Sequence, residues 1–154
     1  MKALKFTSKW EGGWVSDKAD PGGKTNYGIS DAGDGTVDGL IDLDRDGKGD
    51  VKAEDLTREQ AIQIYWKFYW LPAGCDSMDL PLAVCVFDTA VNCGVGRSQA
   101  FLEDCVDSKE YLNRRVLFYT KLIKRKPALS RFYKGWINRV VDLRKYIEIL
   151  SKET

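Results

Sequence analysis

Glu11, Asp20 and Thr25 stand in a glycine-rich stretch, "KWEGGWVSDKADPGGKTNYGIS" at 9–30, with eight residues between the first pair and four between the second. Hydrolysis of a glycosidic bond uses groups of this kind. One carboxylic acid protonates the leaving oxygen and a second carboxylate works from the other face of the sugar, while a hydroxyl can position the attacking water. Trp10 and Trp14 flank Glu11. A carboxyl group held in partly apolar surroundings keeps its proton and can act as a general acid. The plain alternative is a solvated glutamate that precedes a Gly12-Gly13 helix stop. Gly22 and Gly23 let the backbone turn so that Asp20 and Thr25 come back towards Glu11. Trp14 and Tyr27 offer flat apolar faces on which pyranose rings stack, unless they are ordinary half-buried aromatics.

The composition narrows the chemistry further. The chain has 154 residues and no histidine, which excludes a Ser-His-Asp triad, a Cys-His pair and any histidine-ligated metal centre. Proton transfers then fall to Asp, Glu, Lys, Tyr or Cys. Net charge is +1, so no overall field draws in nucleic acid. Cys75, Cys85, Cys93 and Cys105 form no CxxC pair, which points away from zinc and to buried free thiols, or to a disulfide in an oxidising compartment. No apolar run approaches the roughly 18 residues of a membrane span, so membrane insertion is not expected. The N-terminal "MKALKFTSKW" has no signal-peptide pattern, and the protein is expected to be made in the cytoplasm and released by another route. One domain over 1–154, working as a monomer, is the simplest organisation.

A second group of acids lies in the insert 31–56, around "DLDRDGKGDVKAEDL". A calcium loop of the EF-hand type places oxygen ligands at positions 1, 3, 5 and 12 and a glycine at position 6. Starting at Asp42 puts Asp44, Asp46 and Gly47 in place but leaves Gly49 at position 8 and Ala53 at 12. Starting at Asp44 puts Asp46, Gly49, Val51 and Asp55 in place and fails at Lys48, and it is the better match on backbone grounds. Asp42, Asp44, Asp46, Asp50 and Asp55 are therefore the candidate ligands of a structural Ca²⁺, against a solvated acidic turn. No cofactor is expected for the chemistry itself. The segment 109–145 is rich in Lys and Arg, as a solvated helix face or as one that meets an anionic polymer.

These groups need elements to hold them. Residues 2–11 suit a short helix ended by Gly12-Gly13, which sets Glu11 at its C-terminal edge. Residues 12–56 read as loop and turn with β-like pieces such as "TNYGIS". Thr57 and Gln60 form a capping box before "LTREQAIQIYWKFYW", whose Ala61, Ile64, Tyr65 and Phe68 share a face. "LPLAVCVFDTAVNCG" is apolar nearly all round and marks a central buried helix, closed by Gly94 and Gly96. Within it Asp88 and Asn92 share a face, the first expected as a structural tie and the second as a contact to sugar amides and hydroxyls. A short helix over Ser98–Val106, one capped by Ser108 and a last one opened by Pro127 follow. Phe132, Trp136, Val140, Leu143 and Ile147 line the last. The expected fold is mainly α, with an irregular glycine-rich region and an EF-hand-like insert, and 107–154 as its C-terminal helical part.

"EGGW", "DPGGKTNYGIS", "LTREQAIQIYWKFYW", "FDTAVNCG" and "FYKGWINR" resemble, in that order, the segments of glycoside hydrolase family 108. These are lysozyme-like N-acetylmuramidases of phage endolysins and bacterial relatives. The resemblance implies a lysozyme-like helical domain that cleaves the β-1,4 bond between N-acetylmuramic acid and N-acetylglucosamine in peptidoglycan. It gives the acid's role to Glu11, in the "EGG" motif. The Glu, Asp, Thr order is similar to that of phage-type lysozymes, whose second gap is one residue longer, and it gives Asp20 and Thr25 the handling of water. It also implies action on the cell wall after release, through a holin. Many members carry an Asp-Gly, Gly, Thr wall-binding pattern after the central helix, and "FLEDCVDSKEYLNRRV" lacks it. The competing reading is an inactive, calcium-responsive peptidoglycan-binding module.

Overall fold

The computed structural model describes residues 1–11 and 25–153. Trp14, Asp20 and the side chain of Thr25 lie outside the described residues. The chain is mainly α, as expected, and forms two compact units: Thr7–Phe68, and Met1–Phe6 with Tyr69–Thr154. Helix α1, Lys2–Trp10, contributes to both.

In the first unit, two short antiparallel pairs carry the irregular region. β1 (Thr25–Asn26) pairs with β2 (Ile29–Ser30), and β3 (Leu40–Ile41) pairs with β4 (Val51–Lys52). The Tyr27-Gly28 link of the first hairpin has both φ angles positive, at 52° and 76°. That twist matches the flanking strands, and it is why a two-residue connection closes here. Helix α2, Arg58–Tyr65, opens on the expected capping box: Thr57 accepts from Gln60 N, and Gln60 accepts from Thr57 N. It runs on into a π-helical turn, Trp66–Trp70. Ile41, Ala53, Leu56, Ala61 and Ile64 make the unit's core, with Tyr27, Ile29, Leu43, Val51 and Phe68 packed against it. So few regular residues hold together because this apolar cluster draws on both hairpins and α2 at once.

In the second unit, α3 (Leu80–Cys93) is central, and its residues from Ala83 to Ala90 are all buried. Asp79 caps it by accepting from Leu82 N. Helices α4 (Val95–Ala100), α5 (Ser108–Arg125) and α6 (Ser130–Lys152) complete the unit. Four boundaries differ from the sequence reading. Gly96 lies inside α4 and does not close α3, whose cap is Gly94 at φ 93°. α4 stops at Ala100 instead of reaching Val106, and Asp104 at φ 54° breaks the path beyond it. Asp107, not Ser108, caps α5, because its carboxylate accepts from Glu110 N at 2.8 Å. Pro127 opens a 3₁₀ turn, Pro127–Leu129, before α6 begins at Ser130. The buried stripe of α6 is Arg139, Val140, Leu143, Ile147 and Leu150, and Phe132 stays 43% exposed at its open end. Among the described residues, no helix is long and apolar enough to cross a membrane.

Candidate active site

Glu11 follows α1 directly, its N–H bonded to Thr7 O at 3.1 Å, and it is half-buried. The hairpin β1–β2 comes up against it. A methyl group at Gly28 would lie 2.8 Å from Tyr65 Oη and 3.1 Å from both Cβ and the carbonyl oxygen of Glu11. Only a glycine allows that approach, and its φ of 76° asks for one independently. Tyr65 Oη donates to Tyr27 O at 3.0 Å and so ties α2 to the hairpin turn. Asn26 anchors the hairpin's other side, donating through Nδ2 to Ala53 O at 2.9 Å. Glu11 is thus backed by two elements that are fixed by hydrogen bonds to main chain. Tyr27 sits in the same turn, at positive φ and half-buried.

Gly28 and Tyr65 were not singled out as site residues by sequence. The signal for Gly28 was the turn in "TNYG", and that for Tyr65 its place on the buried face of α2. Asp31 was also missed. It is 2% exposed and Oδ2 accepts from Gly39 N at 2.8 Å, while Oδ1 has no hydrogen-bond partner among the described residues.

Of the two registers, the turn geometry matches the one that starts at Asp42 rather than the preferred Asp44, although its position 12 is Ala53, which offers no side-chain oxygen. Asp42 accepts from the N–H groups of Arg45, Asp46 and Gly47, and the left-handed glycine is Gly47 at φ 90°. Gly49 has another reason to be glycine: an added Cβ would lie 2.3 Å from Leu40 Cβ. Burial would raise the Asp42 carboxyl, yet the three N–H donors prevail and hold it below its ordinary value. In this register Lys48 falls at position 7, which offers a main-chain carbonyl and not a side chain. Asp50 falls at position 9, and its Oδ2 accepts from Leu43 N at 2.7 Å. Carboxylate oxygens of Asp42, Asp44 and Asp50 lie within 4.8 Å of one another, a hard-oxygen set that could hold a cation. Asp46 and Asp55 are not in that group. Asp46 Oδ1 accepts from Lys48 N, and Asp55 is exposed in the 3₁₀ turn Ala53–Asp55.

The second unit holds a buried ionic cluster. Asp88 is fully buried on α3, with Oδ2 2.8 Å from Arg115 Nη1 of α5 and Oδ1 2.8 Å from Arg139 Nη2 of α6. Burial pushes its carboxyl up, but the two guanidinium charges and their hydrogen bonds outweigh this and hold it below its ordinary value of 3.8. Asn92, one turn along α3, accepts through Oδ1 from Tyr119 Oη, from Arg115 Nη2 at 3.3 Å and from Cys93 Sγ at 3.2 Å. Its carbonyl oxygen therefore serves the helix interior.

The family profile described as Glycosyl hydrolase 108 matches residues 4–94, more than half of the chain. The chain is also similar to the solved structure of Brucella abortus SagA, at 25% identity and a TM-score of 0.69, over 96% of this chain and 92% of that one. No curated protein matches the chain. The mainly α, lysozyme-like fold expected from sequence agrees with that likeness.

Proposed function

Since the chain belongs to glycosyl hydrolase family 108, we propose that this glycoside hydrolase acts on peptidoglycan. Its bond is the β-1,4 link between N-acetylmuramic acid and N-acetylglucosamine, and Glu11 is the general acid that protonates the leaving oxygen. The observation that carries the reading is the placement of Glu11. It stands at the end of α1, half-buried, with its backbone closed upon by Gly28 and with Tyr65 Oη beside that glycine. A general acid must be held within hydrogen-bond reach of one oxygen, and a carboxyl on so constrained a backbone can be. Asp20 and Thr25 manage the attacking water, and Trp14, Tyr27 and Asn92 bind sugar. Asn92 does so through its amide N–H, because Oδ1 is committed to Tyr119 and Arg115.

The same reading makes the protein a one-domain, monomeric endolysin that works on the wall after release from the cytoplasm. It makes the insert a structural Ca²⁺ site on Asp42, Asp44 and Asp50, without a part in the chemistry. The test of bond choice is to digest purified peptidoglycan, reduce the new ends with borohydride and identify them by mass spectrometry. Reduced N-acetylmuramic acid is the expected product. Reduced N-acetylglucosamine, or freed peptide without new sugar ends, contradicts the proposal.

A further inference from the structure

From Tyr111 to Val141 the chain carries no Asp or Glu. Arg115 and Arg139 in that span are consumed by Asp88, and Arg114 pairs with Glu110. Six cations remain: Lys121, Lys124, Arg125, Lys126, Arg131 and Lys134, all exposed. Among the described residues, none of the six is ion-paired. They are gathered at one end of a helical hairpin. Tyr119 of α5 stacks on Trp136 of α6 at 4.9 Å, and Thr120 Oγ1 meets Tyr133 Oη at 3.2 Å. All six cations lie between Tyr119 and Trp136 in the chain, on the turn side of that stack.

Helix capping accounts for only part of this. Lys124 and Arg125 occupy the last turn of α5, where cations suit the negative end of the helix dipole. Arg131 and Lys134 occupy the first turns of α6, where the dipole disfavours them, and that first turn holds no acid. The helix dipole therefore does not account for these two cations. The residues between the cations indicate what does. Residues 124–128 are exposed without a break, and they include Pro127 and Ala128. Phe132 is 43% exposed, with the Arg131 guanidinium 4.7 Å from its ring centre. The neutral hydroxyls among these residues are already engaged. Ser130 Oγ donates to Pro127 O, and Tyr133 Oη is with Thr120. Cations around exposed apolar groups, without free neutral donors, match an anionic bilayer surface, where headgroups take the charge and the interface takes the ring.

We propose that the α5–α6 turn, Lys121 to Lys134, docks the protein on anionic lipid headgroups as a peripheral contact. The test is co-sedimentation of the full chain with vesicles of phosphatidylcholine mixed with phosphatidylglycerol, and with phosphatidylcholine alone. Binding to the mixed vesicles only is expected, and it should weaken steeply between about 0.1 M and 0.5 M salt. At about 1 kcal/mol per cation, the variant K124Q/R125Q/K126Q should bind roughly 100-fold more weakly. Those positions are exposed, and an unchanged melting curve shows that the variant is folded. Phe132→Ser should weaken binding several-fold, most visibly at the higher salt. Equal binding by the triple variant overturns the proposal, as does no binding to either vesicle. Binding to soluble polyphosphate but not to vesicles assigns the surface to a polymer instead, and vesicle binding indifferent to Phe132→Ser overturns the part given to the ring. Wall hydrolysis does not enter any of these outcomes.

Discussion

Gly28 holds a left-handed conformation and has no room for a methyl group, whereas Gly35 has a similar φ of 89° with nothing within 4 Å of an added Cβ. The pair separates backbone strain from displacement of Glu11. Gly28→Ala is expected to lower wall hydrolysis about 100-fold, the effect of misplacing a catalytic group by about 1 Å, and Gly35→Ala to leave it within a few-fold of wild type. Turbidity clearing by the two variants, with circular dichroism to confirm folding, checks this. The cysteines give a second prediction. Burial, with Asp76 nearby, pushes the Cys75 thiol up to about 12, and burial with Asp88 pushes Cys85 up further. Cys93 and Cys105 are only half-buried. Ellman's reagent should therefore label Cys93 and Cys105 in the native protein, and Cys75 and Cys85 only after unfolding. The sequence showed that Glu11 ends a helix between tryptophans, but not that Gly28 closes on it. That approach depends on α2 returning Tyr65 to the hairpin, a contact across 38 residues of chain.

At the scale of elements, Asp88 joins α3, α5 and α6 through two buried guanidinium groups. Its carboxyl is held below the unfolded value of 3.8, so its contribution is fully present above that pH and is lost as pH falls through the lower folded value. Asp88→Asn strands two buried cations and is expected to cost about 3–5 kcal/mol in urea unfolding at neutral pH. The difference from wild type should shrink as pH drops below 3.8. Equal urea midpoints at neutral pH would refute the assignment. The hairpin insert is tested by calcium. If Asp42, Asp44 and Asp50 hold the ion, added Ca²⁺ raises the melting temperature of the wild type, chelation reverses the rise, and Asp42→Asn is indifferent to both. The buried face of α3 and the capping box of α2 were legible because each is written in contiguous residues. The insert was harder. Its acids fit two registers, and only the left-handed turn at Gly47 and the packing of Leu40 over Gly49 decide between them.

At the scale of the molecule, a mainly α chain without histidine centres its proposed chemistry on Glu11, which follows one helix and meets a short hairpin at Gly28. The helices could be read from apolar periodicity. The candidate site could be read only as an ordered set of motifs, because residues far apart in sequence carry no local record of their distance. The most direct test of the account compares the wild type with Glu11→Gln on purified peptidoglycan, following both clearing and binding. Clearing by the wild type, a loss of at least about 1,000-fold in Glu11→Gln, and equal wall binding by the two are the predicted result. Clearing by Glu11→Gln at a rate near that of the wild type, or binding without clearing by both, would contradict it.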